Sequence, residues 1–435
     1  MSRELHVDPV TGSDSNDGVS APVKSIARGI RLAKPGDTVY LAPGRYYQSA
    51  VFHERHGTVD QPIVLDGQGA ILDGSEPVTS SEWEQVAPGL FRKVALYPKT
   101  DDAIVGRWFL IWDGEMQRMN RTSKGPSEPL KKVDQLQERE WTYVKDEDAF
   151  YIRLPEGMPL EEANIRYPKR SSAVIFSGAG SHITVRNITG THVYNDGFNI
   201  HGAQRNLSFA NIRAIECGDD GFSAHEDADC RIDGFVSIGN STGLCDVNTS
   251  RTYYRNVYIR DCHGFDLYFI GLEHSLENAR IESSAARTFW LEARYLEEGG
   301  QCRLRMKNVL IRRVGGEPQE LRVGPGGALH ASRCTFEDIN VMLTPGGVVD
   351  FRSCVFRKRQ RQPEAVLFSN TVWRGEGNLY EFKSLRVEQA SFTPATFSGF
   401  QHLTRSEEDS RWGPIGDIPG EVGAVEDQLP KPEIP

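Results

Sequence analysis

Two short stretches of the chain carry acid–base residue types in one shared register. YNDGFNIHG runs from Tyr194 to Gly202, and CGDDGFSAHED runs from Cys217 to Asp227. The element Asp-Gly-Phe-x-x-His thus occurs twice, with Asp196 and Asp220 24 residues apart and His201 and His225 at the same step. Like charges held one step apart push one carboxyl pKa up, which leaves an acid beside a base. Asp219, Glu226, Asp227 and Asp229 crowd the second stretch, and Asp246, His263, Asp266, Tyr268, Arg287, Trp290, Glu292 and Arg294 follow further along. Carboxylates, imidazoles, a phenol, guanidiniums and an indole along one groove would suit an extended sugar chain. Trp would stack on sugar rings, and Arg would pair with uronate or sulfate groups. An aspartate before glycine also serves as a plain turn residue.

Those residues need an element that repeats at their own step. An Asn or Gly followed by an aliphatic, aromatic or small residue recurs at Asn187, Asn211, Gly234, Asn256, Asn278 and Asn308. Each sits in a short segment of alternating polarity, too short and too β-branched for a helix, and turns rich in Gly, Asn and Asp separate the segments. Short strands at a period a little above 20 residues, with no helix between them, predict a solenoid. Its coils stack in parallel about 4.8 Å apart, and Asn at a fixed place can form a side-chain ladder.

Aligned on Gly-Phe, the coils are DGFNIH, DGFSAH, TGLCDV, HGFDLY and RTFWLE. Phe198, Phe222, Leu244, Phe265 and Phe289 form one apolar column, and Ile200, Ala224, Leu267 and Leu291 another; both are expected inside. Alternation then places Asn199, Ser223, Cys245, Asp266 and Trp290 outside, with His201, His225, Val247, Tyr268 and Glu292. The position before the glycine gives Asp196, Asp220, Thr242, His263 and Arg287. Strict register puts Asp246 inside. A bulge turning it outward is expected, because an unpaired buried carboxylate is costly.

The remaining segments fit around that array. Ser25 to Lys34 has Ile26, Ile30 and Ala33 on one helical face and is expected to cap the first coil, whose edge would otherwise be unpaired. Residues 1–106 then hold the cap and first coils, 107–169 an inserted β-rich segment, 170–407 the main coils with the site, and 408–435 a loose tail rich in Pro, Gly and acids. The opening HVDPVTGSDSNDGVSAPVKSIARGIRLAKPGDTVYLAPGRYY resembles the start of many right-handed parallel β-helix (pectin-lyase-like) proteins of carbohydrate metabolism. The resemblance implies an all-β, right-handed parallel β-helix. Its members include polysaccharide lyases, glycosidases, uronate epimerases and phage tail proteins.

Three functions follow as expectations. NDG followed one coil later by DD is similar to motifs of polygalacturonase-like glycosidases, which implies Asp196, Asp219 and Asp220 as the carboxylates of a glycoside hydrolase needing no cofactor. The Gly-His-Gly and Arg-Ile-Lys motifs of those enzymes are not intact here. Carboxyls one coil apart suit retention, and a pair two coils apart, such as Asp196 and Asp246, suits inversion. The alternative is a polysaccharide lyase or uronate C5-epimerase. There His201, His225 or Tyr268 would move protons, and Arg287, Arg294 or Ca²⁺ held by Asp219, Asp220, Asp227 and Asp229 would neutralise the carboxylate. The third is a non-enzymatic carbohydrate-binding or structural solenoid.

The bulk properties narrow the field. A net charge of −10 without a Lys/Arg cluster argues against general nucleic-acid binding. There is no apolar run long enough for a membrane span, and the N-terminus lacks the apolar core of a secretory signal. The protein is thus cytoplasmic, or extracellular or periplasmic if a signal peptide was removed. A poly- or oligosaccharide is the expected partner, and the sequence leaves the oligomeric state open. The seven cysteines show no metal-ligand spacing and are expected to be buried as small apolar residues.

Overall fold

Inward apolar residues at every second position force each strand to bury one face, and the period offers an identical strand on either side. Leu207–Ile215 accordingly pairs in parallel with Ile183–Thr191 and with Asp229–Ile238. The same relation continues through Arg251–Arg260, Glu273–Ser283 and Cys302–Arg313. This computed structural model, which describes residues 2–431 except 298, 417 and 419, is a parallel β-helix. Its walls are one sheet of 17 strands and another of 12. The second sheet carries Phe198–Ile200, Asp220–Ala224, Thr242–Val247, Phe265–Ile270 and Arg287–Leu291.

Each long strand of the first sheet bends where a residue enters the left-handed region. Asn187, Asn211, Asn256, Asn278 and Asn308 have φ between 49° and 57°, and Gly234 has φ 80°. Asn and Gly adopt that conformation at least cost. The Asn211 amide donates to Asn187 Oδ1 and that of Asn308 to Asn278 Oδ1, each at 2.9 Å. Gly234 interrupts this ladder, and Asn256 turns to Asp233 at 2.6 Å instead.

The core column is Phe198, Phe222, Leu244, Leu267 and Phe289, all at most 1% exposed. The expected place of Phe265 in this column belongs to Leu267. Phe265 pairs with Thr242 and Arg287, and so lies in the column of Asp220. Asp246 is not bulged outward either. It holds strict register between Ala224 and Phe269 and is fully buried. Hydroxyls from the opposite wall meet it: Thr252 at 2.6 Å and Tyr254 at 3.0 Å. All seven cysteines are buried and unbonded.

Helix Ile26–Leu32 lies on the first strands. A Cβ at Gly29 would come within 2.7 Å of the Val7 side chain, so glycine permits the close approach. The β-rich elaboration starts earlier than Arg107. Two antiparallel sheets combine Ser75–Pro77 with Leu110–Trp112, Glu115–Gln117 and Ile165–Pro168, and Glu84–Ala87 with Leu90–Val94, Trp141–Val144 and Ala149–Arg153. They share a core of their own around Trp108, Trp141 and Phe150. The C-terminal segment is not loose throughout. Arg411–Trp412 pairs with Leu379–Tyr380, Leu429 is buried, and residues 423–426 run back over the first sheet. Residues 432–435 of the expected tail lie outside the described residues.

Candidate active site

The stacking places three outward columns on the second sheet. Asp196, Asp220, Thr242, Phe265 and Arg287 form the first; Asn199, Ser223, Cys245, Tyr268 and Trp290 the second; His201, His225, Val247, Ile270 and Glu292 the third. The repeated Asp-Gly-Phe-x-x-His therefore does stack like on like. Asp246 and Asp266, expected among the outward binding residues, instead face the core and are fully buried. Burial pushes both carboxyls up to about 7. His263 leaves its expected column because the pairing of that coil shifts by two residues.

Asp196, Asp219 and Asp220 converge, with one carboxylate oxygen of each within 4.8 Å of the others. The inserted segment delivers their partners. Lys124 Nζ lies 2.6 Å from Asp219 Oδ1 and 2.7 Å from Asp220 Oδ1, and Arg107 Nε lies 2.8 Å from Asp219 Oδ2. The Ser123 hydroxyl also donates to Asp219. Asp196 accepts from Ser223 Oγ at 2.7 Å, from Asn199 Nδ2, and from the Asp220 amide at 3.1 Å. Each of the three carboxyl residues is only 2% exposed.

This environment separates the three carboxyls. Burial would raise Asp219, but the Lys124 and Arg107 cations hold it well below the usual carboxylate range. Asp220 is pushed well up by burial and by the Asp219 charge, and Asp196 is raised by the same two causes. The cluster therefore holds neighbouring carboxyls whose proton affinities are driven in opposite directions. The four acids expected to form a calcium cage do not come together: Asp227 is engaged by Arg205 and Arg251. The ammonium of Lys124 lies between Asp219 and Asp220.

His201 and His225 stack with ring centroids 4.1 Å apart. His201 Nδ1 lies 3.1 Å from Glu226 Oε2. Burial and the neighbouring imidazole push His225 down to about 3, which leaves it a neutral ring at pH 7. Further along, Tyr268 Oη accepts from Arg294 at 3.0 Å, and Glu292 accepts from the same guanidinium at 2.6 Å.

Arg107, Ser123 and Lys124 did not emerge from the repeat, since they lie outside it. The available signal was the Gly125-Pro126 turn and two glycines in the coils. A Cβ at Gly218 would stand 2.5 Å from the Arg107 carbonyl oxygen, and one at Gly264 would overlap the Lys124 carbonyl oxygen. Arg118 fixes the same docking. It is buried and donates to the carbonyls of Cys217, Gly218 and Gly239.

A family described only as a protein of unknown function, DUF1565, matches residues 10–56. No curated protein sequence matches the chain. Among solved structures, XylC in complex with xylose is 12% identical, with a TM-score of 0.52, over 94% of this chain and 82% of that one. A structure described as a glycoside hydrolase is 12% identical, with a TM-score of 0.47, over 98% and 99% of the two chains. Pectate lyase Pel9A is 16% identical, with a TM-score of 0.42, over 86% and 79%. The likeness to XylC is one of fold: both chains are built as parallel β-helices.

Proposed function

We propose that the chain is a carbohydrate-active enzyme, a glycoside hydrolase that works with Asp196, Asp219 and Asp220. One observation carries the reading: three buried carboxyls converge while Lys124 and Arg107 both press on Asp219, an arrangement that drives neighbouring proton affinities in opposite directions. Such a pair supplies an acid and an ionised partner at one pH. Asp220 gives its proton to the glycosidic oxygen as the C–O bond breaks. Asp219 meets the positive charge that develops on the sugar and forms the glycosyl bond. Water then cleaves that bond, with Asp220 taking up its proton. The short separation of the carboxyls suits this retaining course. Asp196 holds Ser223 and the Asp220 amide in place. Substrate access to the carboxyls requires the Lys124 side chain to leave Asp219 and Asp220. Helix Ile26–Leu32 serves as the cap on the first coil. The xylose bound to XylC is in keeping with a saccharide substrate here.

A second reading has one observation behind it. His225, neutral at pH 7, is competent to take a proton from a uronate ring, with Arg294 beside Tyr268 to meet the carboxylate. This would be a lyase or epimerase. One experiment separates the two readings. Wild type and Asp220→Asn are incubated with pectic, alginate, sulfated and xylan substrates, with and without EDTA. Reducing ends and absorbance near 235 nm are read together. Reducing ends without absorbance, lost in the variant, are expected. Absorbance would sink the hydrolase reading in favour of elimination. Silence in both channels would favour a uronate epimerase or a non-enzymatic solenoid, with the triad as the anchor of the inserted segment.

A further inference from the structure

We infer that Trp290 and the three arginines around it form a subsite for a sugar bearing an oxyanion, a carboxylate or a sulfate ester. Arg322, which follows Trp290 in its column, places its guanidinium carbon 4.5 Å from the indole centroid. Arg287 lies 5.6 Å and Arg294 5.7 Å from the same ring. Three guanidiniums around one ring repel one another unless anions stand between them. Glu292 pairs closely with Arg294, and Glu320 reaches Arg322 only at 3.9 Å. Arg287 is exposed, and no carboxylate among the described residues lies within ion-pair distance of it. A cationic, aromatic patch thus stands on a chain whose net charge is −10.

The patch offers the oxyanion of such a ligand a place. The half-buried indole carries the Arg322 guanidinium over its ring and Phe265 edge-on at 6.3 Å, which hold the cationic forks in place beside a sugar. The arginine forks match an oxyanion two bonds at a time, which a neutral hydroxyl cannot exploit. Trp290 stands three rungs beyond Ser223, the partner of Asp196. At about 4.8 Å per rung, that is about 14 Å along the sheet. The sugar held by these arginines is therefore not the one whose bond is cleaved, and its charge selects the polymer rather than taking part in the chemistry. This inference rests on the reading above for where the substrate lies, but it is tested by binding alone.

The test uses full-length Asp220→Asn protein, so that binding is read without turnover. Affinity electrophoresis is run in gels containing polygalacturonate, alginate, carrageenan or xylan. Retardation by uronate or sulfate polymers, and not by neutral xylan, is expected; which of the two retards more identifies the oxyanion. Arg322→Ala and the exposed Arg287→Ala should each weaken the binding about tenfold, with melting curves confirming that both are folded. Equal retardation by xylan, or unchanged binding in both folded variants, would overturn the inference. Retained turnover in Asp220→Asn would defeat the hydrolase reading and leave this one standing.

Discussion

Lys124→Met removes the ammonium that joins Asp219 to Asp220 and keeps most of the side-chain volume. The cost follows from the geometry. Nζ makes contacts of 2.6 and 2.7 Å with two carboxyls that are 2% exposed, while its own side chain is 25% exposed. Removing one partner of a buried pair costs about 3–5 kcal/mol. Arg107 remains 2.8 Å from Asp219, so the low end, about 3 kcal/mol, applies. At roughly 2 °C per kcal/mol for a long chain, the melting temperature at pH 7 should fall by about 6 °C. The sign of the pH dependence is fixed as well. Asp219 has a depressed folded pKa, so its stabilisation is present above the unfolded value of about 3.9 and is lost as pH falls towards the folded value. The gap between wild type and variant should therefore narrow below about pH 4. Circular-dichroism melts from pH 3 to pH 8 measure both quantities. A shift under about 1 °C at pH 7, or one that is the same at every pH, would refute the electrostatic account.

Asp220→Asn should keep the wild-type melting temperature within about 1–2 °C and lose measurable turnover on whichever substrate the wild type cleaves. Gly264→Ala should push the Lys124 backbone off the solenoid; limited proteolysis should then cut within residues 119–130, with the far-ultraviolet spectrum unchanged. Asp246→Asn addresses a carboxyl raised to about 7 by burial. A group with a raised folded pKa contributes stability that declines as pH rises from its unfolded value through its folded one. Relative to the variant, wild type should thus lose about 1.4 kcal/mol per pH unit between about pH 4 and pH 7. Urea titrations at several pH values read that slope directly.

The fold was legible because the chain states it repeatedly. The step between Asn187, Asn211, Gly234, Asn256 and Asn278 is the circuit of one coil counted in residues. The two stacked Asp-Gly-Phe-x-x-His elements could be read for the same reason. Errors came where chemistry from another part of the molecule intervenes. Gly264-Phe265 copies the Gly-Phe of earlier coils, yet Gly264 is small to admit the Lys124 backbone, and Phe265 turns outward to pack on Tyr268 and Trp290. Asp246 is inside because Thr252 and Tyr254 on the opposite wall satisfy it, and alternation along one strand carries no record of the facing wall. Lys124 and Arg107 stand outside the repeat, so no periodicity leads to them.

A stack of coils has an intrinsic weakness: its last rungs can peel away one at a time, since each touches only its neighbours. The returning C-terminal segment crosses that grain like a line of stitching. The Gly423 amide bonds the Ser353 carbonyl at 2.8 Å, that of Ala424 bonds Thr335 Oγ1 at 2.9 Å, and that of Val425 bonds Asn308 Oδ1 at 2.7 Å. Glu426 then gathers Arg280, Arg312 and Arg357, from three further strand positions, around one carboxylate. Four consecutive residues thus tie the rungs of Arg280, Asn308, Thr335 and Ser353 together, so these rungs must be released as a block rather than singly.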